Sequence, residues 1–363
     1  DLARRAKSQA QRELDELRAF AREQFGMEEL EAWDIGYYSE KLRQHRYQLS
    51  QEELRPYFPI NRVLPGLFAV VERLFGIAIR PLKGVETWHP DVRVYEIVDS
   101  AGARRGRFYL DLYARPHKRG GAWMDGCLAR RRLGAAVRLP AAYLVCNFTP
   151  PVGDDPALLT HGEVLTMFHE FGHGLHHLLT TVDYLPVAGI HGVEWDAVEL
   201  PSQFLENWCW SREALALLAG HYRTGEPLPE ELYRRMLAAK HFQAGILLIR
   251  QLEFGLFDFR LHREYDPSRG GRVLEVLDAV RRQVAVIIPP DFNRFANAFT
   301  HIFAGGYAAG YYSYKWAEVL SADAFSAFEE SGIFDAATGT RFRESILEVG
   351  GSRPALASFV EFR

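Results

Sequence analysis

Residues His169, Glu170 and His173 have the types and the spacing that a metal site with a proton-transfer group requires. On an α-helix each residue turns about 100° and rises about 1.5 Å, so two histidines four positions apart present their imidazoles on one face. Glu170 lies about 100° further round the helix, within reach of a water molecule on a shared ion. The pattern therefore predicts metal-assisted hydrolysis with Glu170 as the proton acceptor.

The alternative is an amphipathic helix whose histidines are ordinary core or surface residues. Gly172 and Gly174 weaken that alternative, because a glycine inside a helix costs about 1 kcal/mol relative to alanine. Two glycines beside His173 indicate that something approaches this part of the helix closely. That neighbour is either a tightly packed helix or a bound metal with its water and substrate.

His176 and His177 extend the histidine-rich stretch. His176 has nearly the same angular position as His169, but seven residues separate the two by about 10.5 Å along the helix axis. Ligands about 2.1 Å from one ion cannot lie so far apart without distortion. We therefore expect a third ligand from a second helix, with His176 as the alternative ligand and His177 as a packing residue.

A second helix is predicted in DAVELPSQFLENWCW, which contains the acidic residues Asp196, Glu199 and Glu206. One of these carboxylates would complete a site of two histidines and one acid with an open fourth position, the pattern that is typical of catalytic zinc. Pro201 suits the first turn of a helix, so Glu199 would lie where that helix begins. Glu206, seven residues later on the same face, could orient a ligand histidine instead.

Residues 301–316, HIFAGGYAAGYYSYKW, form a second segment with chemically useful side chains. The pair of glycines near its start predicts a flexible loop. Tyr307, Tyr311 and Tyr314 follow at spacings of four and three, which predicts one face of a helix over about 307–331. Such a stripe is typical of core packing, but a phenol or imidazole aimed at an oxyanion can contribute about 3 kcal/mol to catalysis.

The elements that must position these groups are mostly helical. Apolar residues at helical spacing dominate residues 1–80 and most of the chain after residue 160. Three strand-like runs lie between them, at 92–98, 106–115 and 140–148. We therefore expect a mostly α-helical protein with a small β-sheet of three to four strands.

The same pattern divides the chain into three consecutive regions. These are an N-terminal helical segment over 1–84, a small β-sheet region over 85–150 and a helical core over 151–363 that carries the histidines. Thr160 is the predicted N-cap of the histidine-bearing helix, and Glu163 three residues later completes a capping box.

Composition and charge exclude several kinds of partner. The formal net charge is -4 with acids and bases intermixed, which argues against nucleic acid and against an anionic membrane surface. No run approaches the roughly 18 apolar residues of a membrane span. The 3 cysteines lack CxxC spacing, which argues against a cysteine metal site and favours a reducing, cytoplasmic location. Because the chain begins without Met, directly in a charged helical pattern, we expect a fragment or a processed chain.

Several separated segments resemble one family of enzymes. HEFGHGLHH (169–177), VELPSQFLENW (198–208) and HIFAGGYAAGYYSYKW (301–316) together resemble the thimet oligopeptidase family of zinc peptidases. The resemblance extends over essentially the whole chain, through WDIGYYSEKLRQ (33–44), ELRPYFP (53–59), FYLDLYARP (108–116), LVCNFTPP (144–151) and RQLEFGLFDFRLH (250–262). Agreement over so many segments is more specific than the His-Glu-x-x-His pattern alone.

The resemblance implies a zincin-like catalytic region in which His169, His173 and Glu199 bind one zinc ion. It also implies that Glu170 is the general base of a zinc-dependent endopeptidase, which hydrolyses internal peptide bonds of short oligopeptides. These implications select Glu199 among the three acidic candidates.

The resemblance further implies that Tyr307 and Tyr314, with His301 nearby, contact the scissile carbonyl and stabilise its oxyanion. The β-region would supply an edge strand for an extended peptide substrate. Chains of the family are about twice as long, and their N-terminal half forms the opposite wall of a channel for short peptides. The N-terminal half of the same protein is therefore an expected partner.

Two other functions are compatible with the sequence, and a third is disfavoured. A dipeptidyl carboxypeptidase of the same family would share the zinc site and remove C-terminal dipeptides. A zinc-binding fragment would be inactive without the N-terminal half. A structural zinc domain is disfavoured, because such sites usually close all four positions, often with thiolates.

Overall fold

The structure, a computed structural model, describes residues 1–363 and is built mainly of helices. The α-helices are α1 (Leu2–Phe25), α2 (Ile35–Tyr47), α3 (Gln51–Leu54), α4 (Ile60–Phe75), α5 (His161–Leu178), α6 (Trp195–Val198), α7 (Leu200–Glu206), α8 (Arg212–Leu218), α9 (Glu230–Ala238), α10 (Ala244–Arg263), α11 (Val273–Val284), α12 (Phe295–Ala298), α13 (Thr300–Phe303), α14 (Ser313–Ser331), α15 (Ala336–Phe342) and α16 (Ala355–Phe362). Short 3-10 turns cover Arg55–Tyr57, Leu185–Val187, Asn207–Trp210 and Pro267–Arg269, and a π-helical turn covers Arg343–Leu347. None of the helices combines the length and the apolar character that a membrane crossing requires. The predicted mostly α-helical class is confirmed.

The strands form one larger sheet and one small hairpin. They are β1 (Ile77–Leu82), β2 (Arg93–Asp99), β3 (Arg104–Tyr113), β4 (Trp123–Leu128), β5 (Arg131–Leu133), β6 (Ala136–Arg138) and β7 (Ala141–Phe148). The 5-stranded sheet has the order β1-β2-β3-β7-β4, and β5 pairs with β6. β3 and β7 run parallel, whereas the other pairs of the larger sheet are antiparallel.

The sheet agrees with the sequence pattern at its centre and exceeds it at its edges. The predicted strands at 92–98, 106–115 and 140–148 correspond to β2, β3 and β7. The sheet has 5 strands instead of the expected three to four, because β1 and β4 are added at its two edges.

Contacts divide the chain into two compact units that differ from the three consecutive regions expected from the sequence. Unit 1 comprises residues 1–50 and 230–315, and unit 2 comprises residues 51–229 and 316–363. Residues 1–50 belong to unit 1, in which α1 packs along α10, whereas residues 51–84 of the predicted N-terminal segment belong to unit 2.

Unit 1 contains a close crossing of α1 and α10. A Cβ on Gly245, in the first turn of α10, would come within 2.8 Å of the backbone nitrogen of Ala10. The buried carboxylate of Glu13 accepts hydrogen bonds from the backbone N–H groups of Gly245 and Ile246, at 3.2 and 2.9 Å. The first turn of a helix leaves such N–H groups without a partner in the helix, so Glu13 caps α10 from another helix.

In unit 2, α5 lies between the sheet and α7. Phe171 of α5 packs edge-on against Phe108 of β3, with ring centroids 5.4 Å apart. Gly174 lies over β7, where an added Cβ would be 3.0 Å from Cδ2 of Leu144. The opposite side of α5 is therefore left for α7 and for the side chains of the candidate site.

The start of α5 is the one predicted from the sequence. The Thr160 side chain accepts a hydrogen bond from the backbone N–H of Glu163, and the Glu163 carboxylate accepts one from the backbone N–H of Thr160. This capping box fixes the residue at which α5 begins. It thereby supports the helical phase of the histidines that follow.

A buried ion cluster around Asp111 ties β3 to its neighbours. The Asp111 carboxylate, which is 3 % exposed, accepts a bidentate pair of hydrogen bonds from Arg115 at 2.7 Å and one each from Lys118 and Trp88 at 2.9 Å. Lys118 also donates to the carbonyl oxygen of Cys146 in β7. Burial on its own would raise the pKa of Asp111, but these hydrogen bonds hold that pKa well below its usual range.

Asp111→Asn should lower the free energy of unfolding by about 3 kcal/mol, because it leaves the buried ammonium of Lys118 and the partly exposed guanidinium of Arg115 without their anion. The folded-state pKa of Asp111 is depressed, so its stabilising contribution is present above the ordinary value of 3.8 and is lost as the pH falls through the lower folded value. The difference between the two proteins, measured by urea unfolding, should therefore shrink on strong acidification. Asp154→Asn, at an exposed loop position, is the control and should change stability little. An Asp111→Asn protein as stable as the unaltered chain at neutral pH would contradict this account.

Candidate metal centre

Three side chains of unit 2 bring their candidate ligand atoms together. The Nε2 atoms of His169 and His173 lie 3.2 and 3.1 Å from Oε2 of Glu199. The ligand atoms of all three residues lie within 4.8 Å of one another. Ligands bound at about 2.1 Å to one tetrahedral ion are about 3.4 Å apart, so the group fits a metal ion with little movement. Three protein ligands would leave the fourth position of such an ion open.

Glu199 reaches the histidines because the chain turns between α6 and α7. α6 ends at Val198 and α7 begins at Leu200, with Pro201 in the first turn, where its missing N–H sacrifices no hydrogen bond. The Glu199 side chain is 0 % exposed, and Oγ of Ser202 donates a hydrogen bond of 2.8 Å to its Oε2. The carboxylate is therefore held in place by the protein itself.

The two other acidic residues of this stretch take different positions. Oε1 of Glu206 lies 2.7 Å from Nδ1 of His169, on the side of the ring away from Glu199. A hydrogen bond at Nδ1 leaves Nε2 as the nitrogen available to a metal and fixes the plane of the ring. Asp196 is not part of the group of ligand atoms.

Opposite charges balance one another within the centre. Burial alone would lower the pKa of His169, but hydrogen bonds with Glu199 and Glu206 raise that pKa well above its ordinary value. Burial would raise the pKa of Glu199, yet the charge of His173 and hydrogen bonds from both histidines hold it well below its ordinary value. A buried carboxylate needs positive charge beside it, and protons compete with metal ions for that place. The charge distribution therefore favours a bound cation.

Glu170 is buried beside the ligand residues and faces the edge of the sheet. Burial raises the pKa of its carboxyl group, against the lowering effects of His169, His173 and a hydrogen bond from the Met124 backbone. Met124 belongs to β4, an edge strand. Glu170 thus lies between the candidate ligand group and that strand, with a carboxylate that accepts a proton more readily than an ordinary one.

His176 and His177 are both buried and do not belong to the group of ligand atoms. Burial lowers the pKa of His176 to about 3, and its Nδ1 has no hydrogen-bond partner. Nε2 of His177 lies 3.0 Å from the carbonyl oxygen of Leu128, and burial lowers the pKa of this histidine as well. Both side chains therefore occupy the interior below the centre as neutral rings.

The two helix glycines permit close packing. A Cβ on Gly172 would lie 2.4 Å from the carbonyl oxygen of Pro201 and 2.5 Å from Cα of Ser202, so the backbone of α7 occupies that space. Gly174 faces Leu144 on the other side of α5. Of the two explanations considered for these glycines, the structure supports tight packing. At Gly172 this packing also brings Glu199, two residues before Pro201, to the histidines.

The tyrosine segment, residues 304–312, belongs to unit 1 and does not form the predicted helix. The prediction of a helix over 307–331 is wrong at its start, because α14 begins at Ser313. Ala309 has a left-handed backbone with φ of 56°, which interrupts a right-handed helix and costs a non-glycine residue about 1 kcal/mol. Tyr307 therefore precedes the helix.

Three predicted site residues of unit 1 nevertheless lie together. The rings of Tyr307 and Tyr314 stack with centroids 5.1 Å apart, and the His301 ring lies 6.1 and 6.0 Å from them. Tyr311 is different, since its ring is buried and its hydroxyl donates to Oε1 of Gln251 at 3.1 Å. Unit 1 thus holds a cluster of His301, Tyr307 and Tyr314, and unit 2 holds the ligand group.

Two features of the candidate centre were not predicted from the sequence. β4 reads WMDGCL, and its glycine and lack of β-branched residues do not predict a strand. It forms because Met124 and Gly126 pair with Leu144 and Ala142 of β7, which is a non-local contact. Ser202 had a usable signal, because it stands three residues after Glu199, a spacing at which side chains on a helix meet.

Glu206→Ala should weaken metal binding about tenfold to a hundredfold, because His169 loses the partner that orients its ring. The measurement is competition for the metal with a coloured chelator. Asp196→Asn is the control from the same stretch and should bind metal normally. The opposite result, with Asp196→Asn impaired and Glu206→Ala unaffected, would show that the acidic residues have been assigned wrongly.

Gly172→Ala should also weaken metal binding, by at least about tenfold, although residue 172 carries no ligand. The added methyl group overlaps the α7 backbone, so α5 and α7 must separate and Glu199 must move. Gly162→Ala is the matched control on the same helix, because its Cβ would meet only Oγ1 of Thr160 at 3.9 Å. Equal metal affinities in the two variants, measured in the same chelator competition, would refute the proposed link between packing and ligand position.

Comparison with known proteins gives a consistent result over the whole chain. The family model described as Peptidase family M3 matches residues 1–363. Oligopeptidase A of Salmonella typhimurium and that of Escherichia coli are each 58% identical over 364 residues, which is 100% of this chain and 54% of the relative. Dipeptidyl carboxypeptidase of Escherichia coli is 37% identical over 96% of this chain and 51% of its own length.

A solved structure of a protein assigned as oligoendopeptidase F has a similar fold. It has a TM-score of 0.50 at 15% identity, over 94% of this chain and 56% of that one. With 54% and 51% of their lengths covered, the chain spans about half the length of the curated relatives that it matches. On the family match and the identity to these relatives, the chain belongs to Peptidase family M3.

Proposed function

We propose that this chain is the catalytic part of a zinc-dependent endopeptidase that hydrolyses internal bonds of short peptides. The observation that carries the proposal is the convergence of His169, His173 and Glu199 on one point, with Glu170 buried beside them. Membership in a peptidase family and the names of the relatives support it. A cytoplasmic location, favoured by unpaired cysteines, is part of the same proposal.

Zinc is the metal that the donor set favours. Two imidazole nitrogens and one carboxylate oxygen are the protein ligands of one type of catalytic zinc site, whereas structural sites usually close all four positions. When bound, zinc would supply Lewis-acid chemistry, polarising a carbonyl group and making water more acidic. Glu206 would keep His169 in the tautomer that binds the ion.

Glu170 would transfer the proton. As general base its carboxylate accepts a proton from the attacking water, and as general acid it gives that proton to the leaving amine when the C–N bond breaks. Its burial supports both steps, because a raised pKa makes the carboxyl group a stronger base and keeps the proton available for return. No covalent intermediate with the protein is needed.

The edge strand β4 would align the peptide. β4 has β7 on one side, so an extended peptide could add as a further strand on the other. The Met124 backbone contacts Glu170, which relates the position of such a strand to the proton-transfer group. Tyr307 and Tyr314, with His301, would donate hydrogen bonds to the carbonyl oxygen as negative charge develops on it.

Two alternatives have support of their own. A dipeptidyl carboxypeptidase is favoured by a relative of that name at 37% identity. A metal-binding part that is inactive by itself is favoured by the length of the relatives, of which the chain spans 54%. In that case the N-terminal half of the same protein would be the partner that completes the substrate channel.

Glu170→Gln should keep the metal and lose at least about a hundredfold in turnover, because the amide cannot take the proton of the water. Zinc content and cleavage of an internally quenched peptide are measured together, with and without a chelator. Glu199→Ala should lose zinc as well as activity, and Asp196→Asn should lose neither. Full turnover by Glu170→Gln would remove Glu170 as the base, and cleavage that resists complete metal removal would end the zinc proposal.

The same assay separates the alternatives. A substrate with a blocked C-terminal carboxylate should still be cleaved at an internal bond, whereas a dipeptidyl carboxypeptidase would spare it. If the chain binds zinc but cleaves nothing, the N-terminal half of the Escherichia coli oligopeptidase A is added. Activity that appears only then would support the inactive-fragment alternative.

A further inference from the structure

Asp258 of α10 is a buried carboxylate outside the metal centre. Its side chain is 0 % exposed and contacts the tyrosine segment of unit 1. We propose that Asp258 is the positioning residue of this segment, holding the backbone that presents Tyr307 and Tyr314 to the scissile carbonyl. The inference rests on the proposed function, because it concerns the order of two residues that this function uses.

The contacts of Asp258 are divided between its two oxygens. Oδ1 accepts a hydrogen bond of 2.8 Å from the backbone N–H of Ala309, and Oδ2 accepts one of 2.9 Å from that of Tyr311. Nδ1 of His262 lies 3.0 Å from Oδ1, one helical turn further along α10. Because both oxygens are engaged, the carboxylate has one orientation and the segment is held at two points.

Other backbone hydrogen bonds of the segment are local. The N–H of Gly305 donates to the Thr300 carbonyl oxygen at 2.7 Å, and that of Tyr307 donates to the His301 carbonyl oxygen at 3.0 Å. These bonds close turns within the same stretch of chain. The two bonds to Asp258 instead join the segment to a long helix, so they fix its orientation as well as its shape.

One face of α10 is built to receive the segment. Gln251, Gly255 and Asp258 stand at positions i, i+4 and i+7 of the helix and therefore lie on one face. Oε1 of Gln251 accepts a hydrogen bond from the Tyr311 hydroxyl, and a Cβ on Gly255 would be in contact with Cα of Tyr312 at 3.8 Å. The stretch 250–262, which the metal centre does not use, thus acquires a specific role in holding the tyrosines.

Asp258 also accounts for the backbone of Ala309. A left-handed alanine persists only where the surroundings compensate for it, and the carboxylate supplies that compensation at Ala309 and two residues later at Tyr311. Tyr307 precedes the first of these anchor points by two residues, and Tyr314 follows the second by three. Without the carboxylate, the segment would sample other conformations and the stacked pair of rings would lose its fixed position.

Asp258→Asn tests this directly, because the amide keeps the shape of the side chain but replaces one acceptor oxygen by a donor. Hydrogen exchange measured by mass spectrometry should become at least about tenfold faster in peptides that cover 304–312, and exchange in α5 should stay within about twofold. Unchanged exchange over 304–312 would overturn the proposal, whatever the activity of the variant.

Glu253→Gln is the matched control. Glu253 is also a buried carboxylate of α10, but its partners are Arg250 and Arg281. This variant should leave exchange over 304–312 within about twofold of that in the unaltered chain. Equal acceleration in both variants would mean a general weakening of unit 1 and would also overturn the proposal.

Kinetics distinguish positioning from a purely structural role. Asp258→Asn should lower kcat at least about tenfold with KM within about threefold and zinc content unchanged, because orientation affects the transition state more than binding. In a chain that already carries Tyr314→Phe, the same change should lower kcat by less than about threefold. If the kcat losses of the two single variants multiply fully in the double variant, Asp258 does not act through Tyr314. If the unaltered chain cleaves no peptide, the proposed function fails, and hydrogen exchange alone decides whether Asp258 orders the segment.

Discussion

The carboxylate of Glu199 is the constraint on which the candidate metal centre depends. It is 0 % exposed, and a charge so far from solvent is tolerated only when positive or hydrogen-bonding groups surround it. His169, His173 and Ser202 are those groups. Each of them has one geometry that satisfies the carboxylate, so the buried charge selects one arrangement of α5 and α7. The same arrangement leaves two imidazole nitrogens and a carboxylate oxygen facing one point.

Different sides of helix α5 contact the sheet, helix α7 and the candidate metal centre. One side packs on the sheet through Phe171 and Gly174, and another approaches α7 through Gly172. His169 and His173 occupy the remaining space, with Glu170 turned towards β4. Glycine is required at 172 and 174 because α5 packs against the α7 backbone on one side and against Leu144 of β7 on the other. A Cβ at either point of closest approach would have no room. The site is thus a consequence of packing on both sides of one helix.

The features predicted correctly from the sequence are those that local geometry determines. The spacing of His169 and His173 and the capping box at Thr160 depend on residues within one or two helical turns, and β2, β3 and β7 follow from alternating apolar runs. The choice among three acidic residues was not local, because it depends on the turn between α6 and α7. β4 was missed for the same reason, since its pairing with β7 is not encoded in its own composition. The helix predicted from 307 failed because Ala309 has a left-handed backbone, in a segment held by Asp258, about fifty residues earlier in the chain.

Glu199 and Asp258 are both buried carboxylates that hold other groups in position through hydrogen bonds. Both carboxylates are 0 % exposed. In each case, hydrogen bonds from other groups compensate for the burial, and these bonds also hold those groups in position. Glu199 is satisfied by side chains, so it fixes the directions of two imidazole rings. Asp258 is satisfied largely by backbone N–H groups, so it fixes the course of a chain segment and only indirectly the rings attached to it. An amide has nearly the same shape but one acceptor oxygen fewer and no charge, so neither position can exchange acid for amide without leaving a buried group unpaired.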